Sequence, residues 1–416
     1  MNFFIGTFEF LIFLYLANRT LKNTDNLIDN LIYLYLCQIF NYKLWGSIAW
    51  LNIGVSLYSV DCTVLLMILI LVVKFKIYRK WYIGLSLLFA VMAIQSCVRG
   101  LMTFGMTSEF WGDVRKYIHF IIPVLYFSCV PIKTNLMILK AKLDKCFVVV
   151  TIYVVVVLAF FFIGMPLGER ASNRPLLADF AIIYGAYIGL CWYCDLMLSD
   201  KPRMSWKTII YTLILILNRF NTTWVALFVS LMVLLLIYII GPYRKKLTKT
   251  FTVQIAIVIC FAVLFFTSDN VVTKEVFRMA EKFDVSENNT YSGRMELWAL
   301  LMDLVKGKEA VIGYPFGSGF RAYYRGSYWQ YSPHNGYLET LLRTGYIGVV
   351  SLVALMLAII AKAWQDRKIL PIMMCVNSMV FWYAYSLTIE QGIIIGVCAQ
   401  LVFFRRKQND LELHNI

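Results

Sequence analysis

Long apolar runs, separated by short polar stretches that are mostly basic, constrain this chain more than any other feature. A segment that crosses a bilayer needs roughly twenty apolar residues, fewer when flanking side chains snorkel. Such runs fall at 2–17, 30–48, 53–73, 81–98, 116–131, 147–164, 176–199, 207–218, 222–241, 251–267, 341–361, 370–385 and 389–404. The first 75 residues hold either two or three helices, so the total is 12 or 13. The runs are continuous rather than alternating, which selects helices over a β-barrel. Of 416 residues, 60% are hydrophobic and only 15% charged, too few charges to cover a soluble protein of this size. The expected fold is all-α, a polytopic integral membrane helical bundle over residues 1–416. No cleavable signal peptide is expected, because 2–17 lacks a basic leading region and a small-residue cleavage site.

The formal charge of +15 reports topology rather than nucleic-acid binding. Basic clusters at Lys74–Lys80, Lys133–Lys145, Lys201–Lys207, Arg244–Lys246, Lys362–Lys368 and Arg405–Lys407 alternate with loops poor in Lys and Arg. The positive-inside rule puts the clusters, and the C-terminus, in the cytoplasm. Loops 99–115, 165–175, 219–221 and 268–340 then face outward. The last is too long for a plain connection and reads as a structured extracytoplasmic loop. Within it, 272–283 is amphipathic, 294–305 is a short helix capped by Ser292, and 313–319 is a turn-rich connector. Ser332 and Pro333 start a third helix that runs into the membrane at Leu341. The ten cysteines lie mostly in apolar runs, Cys191 and Cys194 included, and read as packing residues, with neither disulfide nor metal expected.

Chemistry belongs in the polar segment outside. Arg294, in the first turn of its helix, opposes the helix dipole unless an anion sits at that end, where N–H groups and guanidinium would share it. His334, second in its helix, would be kept neutral by the same dipole effect and so could accept a proton; otherwise it is a hydrogen-bonded interfacial histidine. Arg219, in a break of a few residues, is either a snorkelling hairpin residue or an anion ligand backed by Asn218, Asn221, Thr222 and Thr223. Arg170 and Arg174 lie in an outer loop against the general charge bias, or pair locally with Glu169. Tyr323, Tyr324, Tyr328, Trp329 and Tyr331 fit sugar stacking and interfacial anchoring about equally. His119 reads as a packed helix residue. Glu9 and Asp61 are ionisable groups in or near apolar segments.

Three pieces, in order, resemble the O-antigen polymerase and O-antigen ligase superfamily of membrane glycosyltransferases. They are Leu217-Asn218-Arg219 opening an outward hairpin; Ser292-Gly293-Arg294 with Trp298; and Gly313, Pro315, Gly317 and Gly319 followed by His334-Asn335-Gly336-Tyr337-Leu338 and Gly345-Tyr346-Ile347-Gly348. The resemblance covers roughly residues 165–400 and is strongest over 290–348. It departs at Asn218 and Phe220, where the family turn has serine and glycine, and Arg170 with Asn173 and Pro175 is a compressed form of a family loop.

The resemblance implies a donor glycan on undecaprenyl pyrophosphate, used at the periplasmic face of the bacterial inner membrane. Arg219 and Arg294 would hold the pyrophosphate, and His334 would position or deprotonate the acceptor hydroxyl for inverting attack. Arg170, Arg174, Asn335 and Tyr331 are candidates for binding pyrophosphate or glycan. No cofactor or metal is implied, and a chain-length regulator is an allowed partner. The motifs look more like a polymerase, which joins repeat units, than a ligase, which transfers polymer to lipid A core. A lipid-linked glycan flippase is the remoter reading, since the ionisable residues gather outside and no repeat is visible. A non-catalytic scaffold gives no reason for arginines and a histidine on one face.

Overall fold

The fold is seen in a computed structural model that describes residues 2–44, 46–52, 56–75, 80–130, 132, 136–165, 175–176, 178–199, 203–218, 220–240, 289–324, 327–331 and 333–404. Among the described residues there are fourteen α-helices and two small β-hairpins. The helices of the bundle are α1 (Asn2–Lys22), α2 (Leu27–Leu44), α3 (Ser59–Lys74), α4 (Lys80–Phe104), α5 (Ser108–Cys129), α6 (Leu136–Phe162), α7 (Ala178–Tyr193), α8 (Trp206–Leu217) and α9 (Asn221–Ile240). Then come α10 (Asn289–Met302), α11 (Gly307–Ile312), α12 (Gly336–Gln365), α13 (Ile369–Trp382) and α14 (Ile389–Phe403). Hairpin β1 (Ala49–Asn52) with β2 (Ser56–Tyr58) precedes α3, and β3 (Phe320–Tyr324) with β4 (Ser327–Tyr331) precedes α12; both are antiparallel.

Among the described residues, six helices are long and apolar enough to cross a membrane: α1, α4, α6, α7 with its continuation, α9 and α12. Helices α8, α13 and α14 are apolar but shorter. The chain is a nearly all-α, multi-pass membrane protein. Three helices, not two, occupy the first 75 residues, as the thirteen-helix count requires. The expected spans 251–267 and the amphipathic 272–283 lie outside the described residues.

Contacts of the basic residues show which helix ends lie together. Lys74 Nζ at the end of α3 donates to the Leu21 carbonyl at the end of α1, and Lys142 near the start of α6 pairs at 2.7 Å with Asp29 at the start of α2. Lys368, leading into α13, donates to the Leu401 carbonyl near the end of α14.

Two expected boundaries move. The loop expected over 99–115 is a three-residue turn, since α4 runs to Phe104 and α5 starts at Ser108. Thr107 makes that sharp start possible, its hydroxyl accepting from the Phe110 N–H at 3.3 Å. The run expected over 53–73 begins as a hairpin, and the helix starts only at Ser59, where the Asp61 carboxylate accepts from the Tyr58 N–H at 2.9 Å.

The connector over 313–319 is wedged into the bundle. Tyr314 N–H donates to the Leu342 carbonyl at 2.6 Å, Phe316 N–H donates to Ser96, and Arg99 donates to the Gly313 carbonyl at 2.8 Å. At its edge Gly313 and Gly345 interlock. Gly345, at φ +67°, breaks α12 into two segments, and a Cβ on it would come within 2.1 Å of the Val311 carbonyl oxygen. A Cβ on Gly313, at φ +77°, would meet the Arg343 backbone at 2.3 Å. Only glycine satisfies both the dihedral and the approach at these two positions.

Candidate active site

Helix α12 sets the geometry. The Asn335 side-chain oxygen accepts from the N–H groups of Tyr337 and Leu338, each at 3.0 Å, so Asn335 is the N-cap. The expected start with Ser332 as cap and Pro333 inside the helix is corrected, because the asparagine claims the free N–H groups first. Asn335, expected to bind substrate, has its side-chain oxygen committed to this cap. His334 precedes the cap in a left-handed conformation, φ +44°, uncommon for a residue with a side chain. It therefore lies outside the helix rather than at its second position. Its pKa is still lowered, but from other causes: partial burial of the ring first, then the charges of Arg294 and Lys116, with Glu339 opposing. The residue remains open to solvent.

The turn at His334 is held by α10. Trp298 Nε1 donates to the Pro333 carbonyl at 2.6 Å, and its ring packs edge-on against Tyr383, with centroids 5.3 Å apart. Arg294 lies one turn before Trp298, on the same face. Helix α10 starts at Asn289, so Ser292 lies inside the helix and is not its cap. Arg294 falls in the second turn, not the first, where the helix dipole has weakened. What brings its charge within reach of His334 is the docking of Trp298.

The loop between α13 and α14 completes the setting. Tyr385 stacks on Phe381 at 5.0 Å, meets Phe220 at 5.0 Å, and approaches the His334 ring at 6.5 Å. One aromatic ring thus connects the histidine turn to the turn between α8 and α9. Arg219, beside Phe220 in sequence, lies outside the described residues. Asn218, expected to donate to an anion, is spent elsewhere: its side chain accepts from Leu176 N–H at 2.9 Å and donates to Leu176 O at 3.4 Å, tying the approach to α7. Arg170 and Arg174 also lie outside the described residues. Tyr331 closes β4 opposite Phe320 in the register, and its side chain is not among those described.

Two ion pairs between α5 and α12, not evident from the sequence, lie beneath the turn. Glu339 and Arg343, one turn apart on α12, are 3% and 5% exposed. Lys116 of α5 pairs with Glu339. Asp113 of α5 pairs with Arg343 at 2.7 Å. Arg343 also donates to the Pro315 carbonyl at 3.0 Å and the Ser318 hydroxyl at 2.6 Å, and it lies 4.1 Å over the Phe320 ring. Asp113 accepts from Gly317 N–H at 2.8 Å. A second cluster on α5 joins the N-terminal helices: Asp61 of α3 meets His119 at 2.9 Å and Arg115 at 3.5 Å. His119, expected to be a packed helix residue, lies within α5 with a mostly buried side chain and shares a hydrogen bond with Asp61. Charged residues at 113, 115 and 116 beside an apolar run were the available signal. Among the described residues, no group of three or more His, Cys, Asp or Glu side chains is placed to hold a metal.

Residues 208–353 match the family model described as O-antigen ligase. The chain carries a domain of the O-antigen ligase and polymerase superfamily. The O-antigen ligase match runs from α8 to the middle of α12 and includes Arg219, Arg294, His334 and the Gly345 kink. Helix α5, with Asp113 and Lys116, lies outside it. No curated protein matches the chain.

Proposed function

We propose that this protein is an O-antigen polymerase, joining oligosaccharide repeat units carried on undecaprenyl pyrophosphate at the periplasmic face of the inner membrane. The observation that carries this reading is the docking of α10 on the His334 turn through Trp298, which puts a guanidinium and an imidazole within electrostatic reach of each other. A neutral imidazole accepts the proton of the attacking hydroxyl. Arg294, with Arg219 as its expected companion, stabilises the charge that develops on the departing pyrophosphate, a role worth about 3–4 kcal/mol of barrier per donor. Arg170 or Arg174 would extend the same anion grip. Attack from the face opposite the leaving group inverts the anomeric centre, and the lipid pyrophosphate linkage supplies the driving force.

A ligase is the second reading, favoured by the description of the matched family. Its acceptor would be the lipid A core rather than another repeat unit. Deletion followed by electrophoresis of the surface glycan separates the two. A single repeat on the core is the polymerase result, and long unattached polymer is the ligase result. In the complemented strain, Arg294→Ala and His334→Ala should each abolish long-chain glycan while the protein still inserts. Normal chain length in both variants would end the glycosyltransferase reading.

A further inference from the structure

The two ion pairs between α5 and α12 differ in how far their bonding capacity is spent. Around Arg343 and Asp113, the guanidinium has a carboxylate, a carbonyl, a hydroxyl and a ring as partners, and the carboxylate also takes a backbone N–H; among the described residues its buried Nε alone makes no hydrogen bond. Their side chains are 6% and 11% exposed, and the pair serves to clasp the 313–319 segment to the bundle. Around Lys116 and Glu339 the accounts are open. Among the described residues the Lys116 ammonium, which has three donors, gives a hydrogen bond only to Glu339, and its side chain is 29% exposed. Glu339 is buried, yet among the described residues its Oε2 has no hydrogen-bond partner. A buried carboxylate oxygen left unpaired is costly, and such groups call for an explanation.

Position suggests one. Glu339 lies one turn into the helix that His334 and the Asn335 cap lead into, and the charges of both Lys116 and Glu339 are felt at His334. We infer that Lys116 and Glu339 form a hydroxyl-binding subsite for the acceptor glycan, beside the histidine that receives the attacking hydroxyl's proton. A sugar hydroxyl can accept from the partly exposed ammonium, which the buried Glu339 carboxylate holds in place. A phosphate fits poorly, because Glu339 already offsets the lysine's charge and Asp113 and Asp179 both lie within electrostatic reach of Lys116. The inference rests on the glycosyl-transfer reading above and holds for either acceptor, repeat unit or core.

The test separates binding from simple charge balance. With lipid-linked repeat unit as donor and a soluble acceptor oligosaccharide varied, Lys116→Met should raise the acceptor KM by about tenfold or more, the value of one lost hydrogen bond to a charged group. The donor KM should stay within about threefold, a shift well below that of one such bond. The double variant Lys116→Met/Glu339→Met leaves no buried charge unmatched, so its thermal midpoint should recover while its acceptor KM stays high. Lys116→Arg, which keeps a donor there, should rescue in part. A double variant with the wild-type acceptor KM would make the pair purely structural and overturn the inference, as would a KM effect confined to the donor. His334→Ala in the same assay tells the two readings apart. If it retains activity, the proposed function falls and the subsite with it; if it is inactive and the double variant is normal, only the subsite falls.

Discussion

At the scale of single residues, His334 carries the sharpest expectation. Partial burial, Arg294 and Lys116 all favour its neutral form, and Glu339 opposes them. A base with a lowered pKa stays competent to lower pH, so the acid limb of kcat/KM should lie below the ordinary histidine value of about 6.5. A pH–rate profile on the inserted protein checks this, and an acid limb above pH 7 would contradict it. The sequence marks this residue and Arg294 as candidates. It does not mark their surroundings. The spacing of Trp298 from Arg294 is visible in the sequence, but its bond to the Pro333 carbonyl lies beside a left-handed residue at 334, and nothing in a row of letters marks a histidine for that conformation. The fate of Asn218 was hidden for a similar reason. Its partner, Leu176, is forty-two residues earlier in the chain.

At the scale of elements, the helices were legible and their ends were not. Apolar runs fix where a helix crosses, but its start is decided by which side chain satisfies the first free N–H groups. At α12 that side chain is Asn335 rather than Ser332, the cap expected from the sequence. Asn335→Ala should therefore destabilise the protein by about 1 kcal/mol, seen as a lower thermal midpoint in detergent. Asn335→Asp, which caps as well, should restore it. A midpoint unchanged in the alanine variant would mean that the cap does not hold this turn. The kink at Gly345 was equally out of reach, because it answers to the Val311 carbonyl across the interface rather than to its own neighbours. Helix α5 was cut short in the sequence reading for a different reason. Its first turns carry Glu109, Asp113, Arg115 and Lys116, which look like a loop until each finds a partner.

At the scale of the whole molecule, the candidate site is composite. Its arginine and histidine come from the 208–353 segment, while α5 supplies the counter-charges for Glu339 and Arg343. Truncating one member of a buried pair is expected to cost about 3–5 kcal/mol, since the other charge stays behind unmatched. Asp113→Asn should accordingly lower the thermal midpoint sharply, and Asp113→Asn/Arg343→Met should lower it less than the two single effects added together. Strict additivity would show that the clasp is not a unit. The clasp also limits how this protein can be exchanged with its relatives. A chimera that transplants residues 208–353 into another scaffold moves a glutamate and an arginine whose opposite charges stay behind on α5. Such a graft should fail unless the host already has an acid and a base at the places of Asp113 and Lys116. Across these two pairs, the segment and α5 are one electrostatic unit.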